Sequence, residues 1–414
     1  MMRKSFFKFG LIALIAFFFI TPKSSFAQDD ESGFTIGGAV RYNFVSENYE
    51  SDPTATSTYF TWDTWRINVD GSVANVDLSF EYRFYPTFGS HFIHHGYLGY
   101  AFSDDVYMEL GATQVPFGIT TYASHSWWFQ GPYYVGLEDD YDMGVNFDIT
   151  PSEKLKLSLS YFRQAEPEGP IYGGDVTFGN AGAGRYSYDI TTGNNYYNED
   201  NTAAFKESIR ELNQFNARLA YDVSDSWQFG ISAQVGGIYN DYLGEAETST
   251  AFAGHVVGNF GNFNLKAEYV KYNYAAKGAR VELDQDGNET DNVTTYDLET
   301  VQMGAYGFNY PVAAEASMYV AGLAYTIPVE WGPISSIQPY VDYTLIDKTN
   351  EDFYDTHHLV PGMLITAGSI YTYVDYAMGK NQPWLTDDFG KGLGVGVEDA
   401  EWLTRFNINI GYYF

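Results

Sequence analysis

The stretch "VDLSFEYRFY", Val76 to Tyr85, places Asp77, Ser79, Glu81, Arg83 and Tyr85 at alternate positions, with Val76, Leu78, Phe80, Tyr82 and Phe84 between them. Side chains of a strand alternate sides with period two, so one face is charged and the other apolar. Charges on the inner face of a sheet that encloses water can sort ions: rings of acids favour cations and rings of bases favour anions. The same parity along the chain gives an inward basic set of Arg41, Arg66, Arg83, Lys156, Arg218, Lys266 and Arg405. The matching acidic set is Asp77, Glu81, Glu109, Asp142, Asp148, Glu268, Asp342 and Asp375. Such a mixed wall predicts little charge preference or a weak leaning towards cations. Arg41, Arg66, Arg83 and Arg405 are the exception, because a basic stripe there would favour anions.

A second cluster lies in "PFGITTYASHSWWFQGPYYVGLEDD", from Pro116, Phe117 and Gly118 to Glu138, Asp139 and Asp140. It sets Trp127, Trp128, Phe129, Tyr133 and Tyr134 close to those three acids. Aromatic faces beside carboxylates suit a surface that stacks or slows a polar solute. The plainer alternative is that the rings fasten the loop to a wall.

Other constellations are weaker. His91, His94, His95, His357 and His358 are metal-ligand types, but strand parity sends His94 and His95 to opposite faces, and a closed zinc site needs converging ligands. Asp284, Asp286 and Asn288 have calcium-loop spacing, yet Gly287 is two residues early and the bidentate Glu is missing. No metal or cofactor is expected. A hydrolase needs a nucleophile beside an oriented base, and no motif unites His94 with Ser160, so the chain does not read as an enzyme.

Sixteen segments alternate well enough to be strands: 34–44, 59–70, 73–85, 92–102, 105–115, 140–150, 154–164, 211–222, 226–237, 250–260, 262–274, 315–327, 337–347, 358–367, 369–380 and 401–414. Glycine and alanine leave the register of 315–327 and 358–367 loosely specified. Short links alternate with long ones at 45–58, 86–91, 116–139, 165–210, 238–249, 275–314, 348–357 and 381–400. Short turns on one rim and long loops on the other fit an all-β, sixteen-stranded antiparallel transmembrane barrel with short periplasmic turns and long extracellular loops. A soluble β-sandwich would explain the strands but not the regular alternation of links. The last segment, "RFNINIGYYF", is expected to pair with the first and close the wall.

Residues 1–27 combine Arg3, Lys4 and Lys8 with the apolar run Leu11–Ile20 and small residues before Ala27. That is the layout of a cleaved signal peptide for Sec-type export, leaving 28–414 as the barrel. The full chain carries 22 Lys and Arg against 53 Asp and Glu, a net charge of −31. That balance argues against nucleic acid, which needs clustered bases. With no cysteine, an exported chain has no disulfide to lock it. Closure of the sheet is the alternative, since it leaves no free edge.

"DDVYMELGATQVPFGITTY", Asp104 to Tyr122, resembles a segment of the phosphate-selective porin O and P family, in which a strand runs into "PFG" at the start of a loop. "NINIGYYF" resembles the terminal strand recognised by the barrel assembly machinery. The resemblance implies an outer-membrane channel for small hydrophilic solutes, a homotrimer surrounded by outer-membrane lipid, and a third loop, 116–139, folded inward as a constriction. It also implies an arginine ladder for anions, and here the chain departs, because Arg is scarce. Anion or phosphate selectivity is therefore the alternative expectation. An adhesin or a partner in a larger complex is a further one, suggested by the acidic loops.

Overall fold

A computed structural model describes residues 33–49, 57–120, 122–170, 184–192, 195–386 and 390–414. The expected signal peptide, 1–27, lies outside them. Sixteen antiparallel strands form the wall. They are β1 (Phe34–Glu47), β2 (Thr58–Val73), β3 (Val76–Tyr85), β4 (Ser90–Ser103), β5 (Val106–Gln114), β6 (Tyr141–Ser152), β7 (Leu155–Ala165) and β8 (Ile209–Ser224). The series continues with β9 (Trp227–Asn240), β10 (Glu245–Phe260), β11 (Phe263–Asn273), β12 (Glu315–Tyr325), β13 (Ile334–Lys348), β14 (Thr356–Ala367), β15 (Ile370–Lys380) and β16 (Leu403–Tyr413). A short extension, Ile327–Trp331, continues β12 alongside β13.

Each strand pairs with its sequence neighbour, and β1 pairs with β16 from Ala39 opposite Tyr413 to Glu47 opposite Arg405. Gly38 and Phe414 extend that seam with reciprocal backbone bonds of 2.9 and 3.0 Å. The ladder is thus closed and leaves no edge. On β16, Asn407 and Asn409 are buried on the inner face while Ile410 and Tyr412 are exposed outside. Alternation here is a direct consequence of period two, with an apolar outer face as a lipid-facing wall requires.

Several turns of the short rim take positive φ, three of them at glycine: Gly261, Gly332 and Gly368. Ala74 (54°) and Asn75 (63°) form the two-residue turn between β2 and β3, a geometry whose twist matches the flanking strands. The third strand therefore starts at Val76 and not at 73. Along this rim Trp227, Phe260, Phe263 and Tyr325 make a chain of ring contacts at 5.6, 5.7 and 4.6 Å between centroids, running from β9 to β12. Such a belt is what an apolar–polar boundary favours.

At the other rim several strands run further than alternation alone indicates. The link expected over 238–249 shrinks to the tip between Asn240 and Glu245, because β9 and β10 continue as a hairpin. The expected loop 275–314 is two hairpins, Lys277–Leu283 with Glu289–Asp297 and Thr300–Ala305 with Phe308–Ala313. Each recruits strands from the loop after β7: Ala203–Lys206 joins the first hairpin and Asp189–Ile190 the second. The main apolar cluster lies inside the barrel towards this rim. It joins Tyr133, Tyr186, Tyr188, Tyr306, Tyr310 and Met303 from three loops. Closely packed rings of this kind contribute about 0.5–1.5 kcal/mol per pair beyond their buried area.

Candidate functional site

The loop after β5, called L3, enters the lumen and is fixed there residue by residue. At its base the Val115 N–H donates to the Asp140 carbonyl at 2.8 Å. Pro116 and Phe117 are buried, and Gly118 turns the chain with φ +57°. The Gly118 N–H donates to Ser232 Oγ at 3.0 Å, and its carbonyl accepts from Arg218 Nε at 2.7 Å. Lys266 Nζ donates to the carbonyls of Tyr122 and Ser124 at 2.6 and 2.9 Å. Asp342 accepts from the backbone of His125 and Ser126 at 2.6 and 2.9 Å, and its other oxygen lies 2.8 Å from His125 Nδ1. Asp375 accepts from the Trp127 N–H at 3.3 Å, and Thr344 Oγ1 from that of Gly131 at 3.1 Å. Glu268 accepts the Ile119 N–H.

Five charges expected to line the passage thus have another job. Arg218, Lys266, Glu268, Asp342 and Asp375 hold L3 against β8–β15. The physical reason is general: a loop taken out of water must find partners for its backbone groups, and inward charges on the wall supply them. The one-turn helix α1 (Gly131–Tyr134) sits in the middle of the anchored segment.

What remains open lies on the other side, towards β16, β1, β2 and β3. A cavity of about 660 Å³ has Arg41, Arg66, Arg83 and Arg405 on the wall and Trp127, Trp128, Phe129 and Tyr133 on L3. The four arginines therefore do come together. Arg41 Nε is 2.8 Å from Asp63 Oδ2. Glu81 pairs with Arg83 and lies 3.5 Å from Arg66. Arg405 has no carboxylate within ion-pair distance among the described residues; its guanidinium stands 5.2 Å from the centre of the Trp128 ring. Arg83 packs over Tyr186 at 4.3 Å and Arg66 over Tyr413 at 5.1 Å. Glu47 joins the lining at the long-loop end of β1. Glu47 stands directly opposite Arg405 across the β1–β16 seam, so four guanidiniums face three carboxylates, Glu47, Asp63 and Glu81.

Asp63 was not found by parity, because a bulge between Arg41 and Tyr42 lets Thr64 and Trp62 pair while Asp63 is the extra residue. A bulge adds a residue to one strand and breaks the alternation. The sign in the sequence is a carboxylate in an outward row that is otherwise uncharged, Tyr59, Thr61, Trp65, Ile67 and Val69. A second bulge corrects the histidine reading. Glu81 pairs with His95 and Tyr82 with Ile93, so His94 is extra. Both rings then share the inner side, with His94 Nδ1 2.8 Å from His95 Nδ1.

The acids of L3 do not face the passage. Glu138, Asp139 and Asp140 are all 5% exposed or less, behind the aromatic surface that was expected to present them. Burial, reinforced by the neighbouring charge of Glu268, pushes the Glu138 carboxyl well above its ordinary range. Burial also raises Asp139, opposed by a hydrogen bond from the Tyr186 hydroxyl. Tyr133 and Trp128 are themselves almost fully buried, so they serve mainly to pack the loop, while Trp127 and Phe129 are half-buried.

Nearer the short turns the wall is acidic. Glu109 and Asp148 line a smaller cavity of about 260 Å³. Asp77 accepts a hydrogen bond from Tyr107 at 3.0 Å, and Lys156 is exposed next to the turn before β7. Asp142 stands apart from both cavities. It converges with Asp140 and with Asp189, a residue of the loop after β7, each offering one oxygen within 4.8 Å of the others. This convergence joins separate segments and has no signature in local spacing.

No protein-family model matches the sequence, and no curated protein matches it. Solved structures do. The chain is similar to the anion-selective porin from Comamonas acidovorans, with a TM-score of 0.57 and 13% identity over 93% of this chain and 100% of that one. It is similar to the outer membrane channel DcaP of Acinetobacter baumannii, with a TM-score of 0.56 and 12% identity over 95% and 100%. For OmpF of Salmonella typhi the TM-score is 0.54 at 12% identity over 94% and 99%. These likenesses reach porins in general and do not single out the phosphate-selective family. At such identities what is shared is the fold, a closed sixteen-stranded antiparallel barrel of the outer-membrane porin type.

Proposed function

We propose that this chain is an outer-membrane porin, an aqueous diffusion channel for small hydrophilic solutes, whose constriction favours small anions. The observation that carries the charge preference is the face formed by Arg41, Arg66, Arg83 and Arg405 opposite L3. Sequence parity weighed all inward charges alike and leaned towards cations. The geometry weighs them differently, because two of the inward bases and three of the inward acids are spent on the loop. In a narrow, low-dielectric passage the local excess at this face, four guanidiniums against three carboxylates, acts at short range. Glu47, Asp63 and Glu81 temper it, which supports a general anion preference more than a phosphate-specific site.

Export through a signal peptide at 1–27, insertion by the barrel assembly machinery and assembly as a homotrimer belong to the same proposal. The acidic vestibule of Asp77, Glu109 and Asp148 favours the second reading, a weak cation preference set below the constriction.

The test is single-channel current and reversal potential in a planar bilayer across a KCl gradient. An anion-directed reversal that weakens in Arg405→Gln supports the proposal. A cation-directed reversal indifferent to that substitution would transfer selectivity to the vestibule. Absence of current would overturn the channel reading.

A further inference from the structure

Where L3 returns to the wall, carboxylates meet with too few cations to balance them. Asp140 closes L3, Asp142 is the second residue of β6, and Asp189 belongs to the short strand docked on the loop hairpin. Their ligand oxygens lie within 4.8 Å of one another. Oxygens bound to one calcium ion at 2.3–2.6 Å are at most about 5 Å apart, so the spacing fits a shared ion. All three residues are at least nine-tenths buried.

A separate observation points to the same place. Glu166, outside that triad and only 1% exposed, hydrogen-bonds the Ser187 N–H through Oε1 at 3.1 Å, while Oε2 has no donor. Its carboxyl lies within hydrogen-bonding reach of Asp189. Asp142 repeats the arrangement: Oδ2 accepts from Gln214 Nε2 at 3.2 Å and Oδ1 is unpartnered. Oδ1 of Asp140 and of Asp189 are unpartnered too. The cation in this group, Arg185, divides itself between Glu168 at 2.6 Å and Asp189 at 3.2 Å. One oxygen of a carboxylate pinned by protein and the other left free is how an ion ligand is pre-oriented. Unpaired buried carboxylates are otherwise strongly destabilising.

We propose that Asp140, Asp142 and Asp189, with Glu166 at their edge, form a calcium site that ties the end of L3 to the loop after β7. All-oxygen, carboxylate-rich donors select hard divalent cations. Calcium accepts irregular cages of six to eight oxygens, whereas magnesium demands octahedral geometry and keeps its waters. The site lies apart from both cavities, so it acts on the rim of the passage by fixing L3 and not by touching solute. It is independent of the charge preference proposed above.

The experiment uses the full barrel in detergent, stripped with EDTA and titrated with calcium chloride by calorimetry. About one ion per chain is expected, with affinity at least tenfold weaker in Asp142→Asn and in Asp189→Asn. Asp284→Asn, in the exposed hairpin tip, should leave it unchanged. Asp189 lies in a loop and outside the wall, so its variant remains informative should Asp142→Asn fail to assemble. Calcium should also raise the melting temperature of the wild-type barrel. No saturable binding, equal affinity for magnesium, or binding untouched by both substitutions would each overturn the proposal. The readout is binding, so it fails or succeeds separately from conductance.

Discussion

Arg66 and Arg83 face each other directly across the β2–β3 ladder, and Glu81 is set between them. Like charges at directly opposed positions destabilise a sheet, so the carboxylate is what permits two guanidiniums to share one level of the lumen. Arg83 and Glu81 are both buried. Breaking a buried pair by removing one partner costs about 3–5 kcal/mol. Glu81→Gln is therefore expected to lower the melting temperature measurably while making the reversal potential more anion-directed. Circular-dichroism melting and bilayer recordings on the same preparation check both. Unaltered selectivity would show that this cluster does not set it.

The attachment of L3 to Asp342 gives a second expectation. One carboxylate receives two backbone N–H groups and the His125 ring, and hydrogen bonds to a charged group contribute about 1.5–3 kcal/mol each. Asp342→Ala should loosen the loop by on the order of 3 kcal/mol or more. Larger and noisier single-channel currents should follow, with faster protease cleavage within L3. Currents as quiet and as small as those of the wild type would mean that the other tethers suffice.

The "PFG" turn makes a sharper case, because its geometry leaves no room. Gly118 has φ +57°, and a Cβ there would come to 2.0 Å from Glu268 Oε1. A left-handed conformation costs a non-glycine residue roughly 1–2 kcal/mol. Displacing Glu268 would also release the Ile119 N–H that it accepts. Gly118→Ala should therefore misplace L3 while leaving the wall assembled. Normal heat-modifiable migration with altered conductance is the expected pair of results, and wild-type conductance would show that Glu268 yields freely.

Much of the wall was legible because period two is a property of each strand by itself. Val76 to Tyr85 states its inside and outside without reference to anything distant. L3 was legible as a candidate because aromatic residues crowd its middle. The tasks of individual charges were not legible. Asp342 and Arg66 have the same parity signature, and only the path of L3 makes one a tether and the other part of the passage. Asp63 was missed, and His94 and His95 were set on opposite faces, because each bulge shifts the parity by one. Asp142 and Asp189 meet only because the loop after β7 folds back through the second hairpin of the 275–314 region.

The aromatic packing of the loops also predicts a pH limit. The hydroxyls of Tyr133 and Tyr306 are hydrogen-bonded to each other, and Tyr310 donates to the Tyr134 carbonyl at 2.7 Å. Burial pushes all three hydroxyls well above the ordinary value near 10, and neighbouring tyrosines add to the effect. Between the unfolded and folded values the folded barrel holds protons that the unfolded chain has released. Stability must then fall as pH rises beyond about 10, with no comparable penalty below it. Tyrosine-labelled carbon NMR should find these three rings protonated at pH 11 while exposed tyrosines have titrated. Replacing Tyr133 and Tyr306 together with Phe should flatten the alkaline loss of stability, at the cost of the hydrogen bond between them. If all tyrosines titrate in one wave near 10 while the barrel stays folded, the loop cluster is wet and does not hold L3 in the way the geometry indicates.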